Sequence, residues 1–415
     1  MLFLKLFGES FLFAYDALRQ NKLRTMLSLL GVTIGIFTII AVKSAVDTLH
    51  TNLQASVDKL GDNSVYISKM PWIMDGDSPW WKYIQRPNPN LRDYEKVKDR
   101  SQTALGVTYQ IGIDNRTVKF QSNFVENVRI SAASHDYYLT RNFDMQDGRY
   151  FTESESRTGA AVVLIGADVA AGLFPYLEPV GQRIKVMGRY ETVIGVFAKE
   201  GENILGVTAD QQILMPLNFA RNIINIQSDQ YNSQIVVKGK KTVSENELNS
   251  ELKGLMRSIR RLGPGQEDNF ALNESTILTN SFNQLFDIVD IAGNIIGGFS
   301  LLVGGFGIAN IMFVSVKERT NIIGIQKSLG AKNYFILLQF LIEAIVLCLM
   351  GGLIGLGTVY IGTYVVKSVW DVTITLNLRN ILVGINTSVI IGVISGIIPA
   401  WFASRLDPVE AIRTN

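Results

Sequence analysis

Two histidines, one cysteine and a scatter of carboxylates are the residues in this chain with the chemistry to hold a metal or to break a bond. His50 and His135 stand far apart, with no HxxxH or paired-cysteine spacing around them, so a metal centre is not expected. A serine nucleophile would be marked by a pattern such as GxSxG, which is absent. No GxxxxGK[ST] occurs either, so the sequence carries no P-loop to cradle nucleotide phosphates, and the chain itself is not expected to be an enzyme. The net charge of +2, without a long basic run, gives no reason to expect nucleic-acid binding. Cys348 lies inside an apolar run, so the polar part of the chain must hold together without disulfides.

Glu343 is the one carboxylate set deep within a long apolar segment. It could carry protons, or it could bond a neighbouring helix or a basic partner such as Arg24; the structural role is the expectation. Asp287 and Asp290, one turn apart at an apolar segment's outer end, are expected to face water. The sharpest local pattern is VSVKERTNIIGIQKSLGAKNYFILLQFLIEAIVL. Here Ile322, Ile323, Ile325 and Leu329 stand among Glu318, Arg319 and Lys327 where the chain should be wet. A short amphipathic helix of this kind needs cover, and the residues alone leave a partner protein and membrane headgroups equally open.

These residues must be positioned by the elements around them. Four apolar segments, at 23–46, 283–316, 334–366 and 381–403, each exceed the roughly 20 residues a helix needs to cross a hydrocarbon core. The first is too long for a cleaved signal. It also follows a polar stretch, 1–22, in which Leu6, Phe7, Phe11, Phe13, Ala14, Ala17 and Leu18 share one helical face, as suits a helix lying on the cytoplasmic membrane surface. Basic flanks set the orientation: Lys5, Arg19, Lys22 and Arg24 precede the first segment, Lys317, Arg319, Lys327 and Lys332 lie between the second and third, and Arg405 and Arg413 follow the fourth. Both termini and the 317–333 link are therefore assigned to the cytoplasm, with 404–415 as a tail; 47–282 and the 367–380 loop are assigned outside. The expected architecture is a membrane protein of four transmembrane α-helices with a large mixed α+β extracytoplasmic domain inserted between helices one and two.

Within the helices, Gly293, Gly297, Gly298, Gly304, Gly305 and Gly307, then Gly351, Gly352 and Gly355, then Gly392 and Gly396 would allow close backbone approach, although glycine is also simply common in membrane helices. The helix middles otherwise offer no polar lane, which favours work on the outer side over passage through the bilayer centre. In the outer domain, β-rich runs recur at 117–120, 128–132, 160–165, 183–187, 191–197, 212–215 and 234–237. RIKVMGRYETVIGVF reads as a hairpin with Gly188 at the first turn position. Residues 244–262 read as a helix burying Leu248, Leu252, Leu255 and Ile259, ended by Gly263-Pro264-Gly265. The polar stretch 267–283 reads as a helical stalk continuous with the second membrane helix. Trp72, Trp80, Trp81 and Tyr83 form either an aromatic ligand platform or an ordered anchoring loop, the latter favoured.

The link segment resembles the signature of FtsX/MacB-type permeases of ATP-binding cassette transporters, approximately V-x-ER-x-x-EIGI-x-KALGA followed by QF-x-x-EA. Val316, Glu318, Arg319, Ile322 to Gln326, Lys327, Leu329, Gly330 and Ala331 carry it, then Gln339, Phe340, Glu343 and Ala344. Asn321 and Ile322 stand about where the family prefers an acid before IGI. The ending GIIPAWFASRLDPVEAIR is similar to that family's C-terminus. Gly148, Arg149, Phe151, Gly166, Leu173, Phe174, Pro179, Gly181 and Gly195 match its periplasmic core domain. The resemblance implies a MacB-like core domain with stalk over 47–282 and a coupling helix over 317–333, with Glu318, Arg319, Ile322, Ile325, Lys327, Leu329, Gly330 and Ala331 docking a separate cytoplasmic ATPase subunit. That subunit, and not this chain, would hold ATP and Mg. It further implies a second permease copy, most simply in a twofold homodimer, and mechanotransmission to the outer domains in a bacterial inner membrane. An exporter, with a periplasmic adaptor and outer-membrane channel as further partners, is favoured over an FtsX-like subunit that activates a cell-wall hydrolase.

Overall fold

A computed structural model describes residues 22–61, 63–74, 80–201, 208–370 and 373–413. The surface helix expected over 1–22 falls, but for its last residue, outside them. In chain order the main elements are helix α1 (Lys22–Leu60), strand β1 (Ser64–Ser68), helix α2 (Leu91–Arg100) and strands β2 (Ala104–Phe120), β3 (Asn123–Ala133), β4 (Met145–Gly148) and β5 (Val162–Ile165). Strands β6 (Arg183–Val186), β7 (Arg189–Phe197), β8 (Gln212–Pro216) and β9 (Asn232–Gly239) follow, then helix α3 (Glu245–Ile259) and strand β10 (Ala271–Glu274). The chain continues through helices α4 (Ser275–Glu318), α5 (Thr320–Ser328), α6 (Asn333–Trp370), α7 (Leu378–Ser404) and α8 (Pro408–Arg413). It divides into two units, Met1–His50 with Gln284–Asn415, and Thr51–Asn283.

The outer unit is organised by one mixed ten-stranded sheet, ordered β10-β1-β9-β2-β3-β8-β5-β7-β4, with β6 paired to β2 and β7. Strands β3 and β8, and β5 and β7, run parallel; the other pairs are antiparallel. Side chains alternate along each strand, so the two faces differ. One face gathers Val65, Ile67, Tyr109, Ile111, Ile130, Ala132, Ile213, Met215, Ile235 and Val237 under Val97 of α2 and Leu248, Leu252 and Met256 of α3. Each buried Val, Leu, Ile or Met among these contributes about 1.5–3 kcal/mol. The opposite face carries a smaller core of Ala133, Tyr137, Phe151, Leu164, Phe197 and Leu214. It also carries a polar row in which Gln110 pairs in register with Gln234, and Gln212 with Arg129.

Several expectations are corrected here. Met256 replaces Leu255 and Ile259 as the third fully buried residue of α3, because the helix meets the sheet along an i, i+4, i+8 ridge. The β6–β7 hairpin turns on Met187 and Gly188, both at positive φ, so glycine takes the second turn position rather than the first. The stalk is not helical throughout 267–283: Ala271–Glu274 add to the sheet edge beside β1, where backbone pairing and burial of Phe270 and Ala271 outweigh local helix preference. Helix α4 begins only at Ser275.

In the other unit, α1, α4, α6 and α7 are long and apolar enough to cross a membrane. Val32, Ile36, Ile40, Leu301, Ile308, Met312, Phe340, Ala344 and Leu347 are central to its core. Close backbone contact is made chiefly by glycine. A Cβ on Gly304 would lie 2.5 Å from the Val32 nitrogen, and one on Gly31 would lie 2.7 Å from the Gly304 Cα. Gly293 abuts Val42 and Gly297 abuts Ile39; Gly351 and Gly355 face Val32 and the Thr33 carbonyl; Gly392 and Gly396 lie against Ile345 and Ala344. Gly31 and Gly35 complete these contacts from α1. The sequence reading did not single them out, although GVTIG is a GxxxG pattern.

Candidate coupling site

The link between α4 and α6 folds as the short helix α5, whose two sides differ sharply. On the inner side Ile323 is 1% exposed and joins the core, and Gly324 packs against Ala411 and Ile412 of α8, leaving 2.9 Å for a Cβ before Ala411 is met. On the outer side Ile322, Ile325 and Leu329 are 55%, 48% and 85% exposed, with Val409 and Ile412 of α8 also exposed. Glu318 is an exposed last residue of α4.

Two cations of the motif point back into the protein. Arg319 donates to Glu343 of α6 at 3.1 Å, and the carboxylate side chain is nearly sealed from solvent. Glu343 therefore finds a basic partner in the motif itself, Arg319; the side chain of Arg24, the partner suggested from the sequence, lies outside the described residues. Lys327 Nζ donates to the carbonyls of Ser404 and Leu406 at 2.9 and 2.7 Å, satisfying orphan acceptors at the end of α7. Gly330 ends α5 at φ +97°, which glycine adopts without strain. The Gly330 N–H bonds the Lys327 carbonyl and the Ala331 N–H the Gln326 carbonyl, and Ala331 tucks against the core. The L-G-A part of the motif is thus a helix stop.

Other sequence candidates are placed differently. Asp290 does not simply face water but pairs with Lys43 of α1 at 3.2 Å, while Asp287 is exposed. A polar group at the outer ends of α1 and α7, which the sequence reading missed, joins Asn380 to Ser44 and Asp47, and Thr48 to Thr375. Trp72 packs on Tyr66 at 4.9 Å, whereas Trp80 and Trp81 are exposed on the short helix Trp80–Ile84, so these rings do not share one platform. His50 meets Phe286 edge-on at 4.7 Å, an aromatic packing role.

Comparison with known proteins extends this geometry. The family model for the MacB-like periplasmic core domain matches residues 25–255, and that for the FtsX-like permease C-terminal region matches residues 294–408. The probable export ATP-binding/permease protein MacB of Pseudomonas entomophila (strain L48) is 30% identical over 419 residues, covering 99% of this chain and 60% of its own length. The macrolide export ATP-binding/permease protein MacB of Syntrophobacter fumaroxidans is 26% identical over 458 residues, covering 98% of this chain and 64% of its own. This chain thus spans under two thirds of the length of these relatives. The periplasmic region of MacB from Actinobacillus actinomycetemcomitans aligns with 56% of this chain and 97% of its own, at 16% identity and a TM-score of 0.45. The chain is a multi-pass membrane protein and belongs to the family of permeases that join a MacB-like periplasmic core domain to an FtsX-like permease region.

Proposed function

We propose that this chain is the membrane-spanning subunit of an ATP-driven, MacB-type exporter in a bacterial inner membrane, with both termini cytoplasmic. ATP and Mg would be held by an ATP-binding cassette partner seated on α5. The observation that carries this reading is the split character of that helix: Ile322, Ile325 and Leu329 are exposed, while the opposite side is fastened by Arg319, Lys327 and Gly324. The relatives named for export, one of them for macrolide export, support the direction of transport.

In this reading closure of the ATPase moves α5, and the Arg319–Glu343 and Lys327 contacts pass that displacement to α6 and α7. Glu343 acts as an anchor rather than a proton carrier. Helices α1 and α4 each continue unbroken beyond their apolar spans, to Leu60 and from Ser275, and would carry the movement to the outer domain. Two copies would pair about a twofold axis, with an adaptor and an outer-membrane channel completing the path outward.

The test is a double variant, Ile325→Asp with Leu329→Asp, expressed in native membranes. We expect loss of the co-purifying ATPase, with circular dichroism and protease resistance of the outer domain unchanged. An ATPase retained at wild-type stoichiometry would remove the docking assignment. Capture of a wall hydrolase in place of an adaptor would move the function to FtsX-like signalling.

A further inference from the structure

The outer unit contains a cleft of its own. Its volume is about 730 Å3, and its walls come from the end of α1, the turn after β3, both flanks of β4 and the segment after β7. One wall is aromatic. The His135 ring lies 5.3 Å from Tyr138 and 6.0 Å from Tyr150, and Phe143 lies 5.8 Å from Tyr150. This wall is braced from behind: Phe151 stacks on Tyr150 at 4.0 Å, and Phe143 meets Phe197 edge-on at 5.2 Å, so the rings are held by the smaller core. The His135 Nδ1 atom is buried and has no hydrogen-bond partner among the described residues, an unused polar site beside the rings.

The charged lining combines Lys59, Arg141 and Lys199 with Asp144 and Glu200, and the three cations are unequally occupied. Lys59 pairs with Glu200 at 3.6 Å, and Lys199 reaches Asp168 at 3.5 Å. Arg141 is in no ion pair among the described residues, although the Glu200 carboxylate acts on it from nearby. Arg141 also lines a second cavity, of about 320 Å3, which includes Trp72 and the glutamines of the polar row. A partly buried guanidinium that lines two cavities, near Glu200 but in no ion pair with it, can offer two parallel N–H bonds to a carboxylate or sulfonate. The cleft lies in the size range of small-molecule sites, and its rings supply stacking area without a large entropy cost.

We propose that this cleft binds a small amphipathic molecule that joins a planar apolar body to a carboxylate or sulfonate, with the anion on Arg141 and the body against His135, Tyr138 and Tyr150. Binding stands on the cleft alone. That the bound molecule is cargo carried outward rests on the export reading.

The experiment is calorimetric titration of naphthalene-2-sulfonate into the full chain in lipid nanodiscs, with empty nanodiscs as the blank. Saturable binding is expected, weakened about tenfold by Arg141→Met and again about tenfold when uncharged 2-naphthalenemethanol replaces the sulfonate. Tyr138→Ala, at an exposed ring whose removal spares the fold, is expected to weaken binding several-fold. No saturable binding, equal affinity for the uncharged alcohol, or affinity unchanged by both substitutions overturns the proposal. A chain that binds the sulfonate as expected but captures no ATPase keeps this site and loses the exporter.

Discussion

Glu343 in α6 and Glu191 in β7 are both withdrawn from water, at 1% and 0% exposure, yet the protein treats them in opposite ways. Glu343 has a guanidinium 3.1 Å away. Glu191 stands across from Ile184, and neither of its oxygens meets a hydrogen-bond partner among the described residues. A buried carboxylate must either be paired or give up its charge. Glu343 takes the first course through Oε2, its Oε1 having no hydrogen-bond partner among the described residues, which makes it a fastening between α6 and the start of α5. Glu191 takes the second: burial pushes its carboxyl up to about 8, so it packs as a neutral acid at neutral pH.

The comparison is broken most severely by pH. Because the folded carboxyl of Glu191 titrates well above its unfolded value of 4.5, the folded state holds the extra proton between pH 4.5 and about 8. Its contribution is therefore fully present below pH 4.5 and lost as pH rises to about 8, a change on the order of 5 kcal/mol. Glu191→Gln should flatten this part of the stability curve, measured by denaturant unfolding of the outer domain across that range. An unchanged slope would mean that Glu191 is ionised in the fold.

Removing one partner of the ion pair comes next. Arg319→Leu alone should lower the stability of the membrane unit by about 3–5 kcal/mol, since it strands Glu343 as an unpaired charge. In thermal unfolding of both variants, the double variant Arg319→Leu with Glu343→Leu should recover most of that loss. Equal losses in the single and double variants would show that the pair is not coupled. A smaller effect should follow Lys327→Met, about 1 kcal/mol, because carbonyls at a helix end lose a charged donor but can be rehydrated. If this variant is as damaging as Arg319→Leu, Lys327 is the more important tie of α5.

Much of this organisation is legible in the sequence, unevenly. The membrane helices are visible because their signal, a long apolar run, is local and needs no knowledge of what they pack against. The motif around Glu318 to Ala331 is visible for a similar reason, since exposed isoleucines among charges and a terminal Gly330 announce a short, stopped helix. Strand β10 is not: Ala271–Glu274 have no strong β preference, and their state is decided by pairing with Val65–Ser68 some two hundred residues earlier. The stretch of β2 before Thr117 is not hidden in this way, since Val107, Tyr109, Ile111 and Ile113 alternate with Thr108, Gln110 and Gly112, the pattern of a strand with one buried face. The Arg319 partner of Glu343 is, like β10, a hidden case, as sequence spacing does not single it out. The outer cleft is the hardest of all, for its residues come from five separated stretches that only the folded sheet assembles.

Gly31 and Gly304 approach so closely that neither leaves space for a Cβ beside the other. The two positions therefore behave as a single compartment of fixed volume shared by two distant places in the gene. An alanine acquired at one should be tolerated only after a neighbouring side chain, such as Val32, has shrunk. Across homologous chains, residue size at 31, 32 and 304 is expected to covary so that the sum stays small.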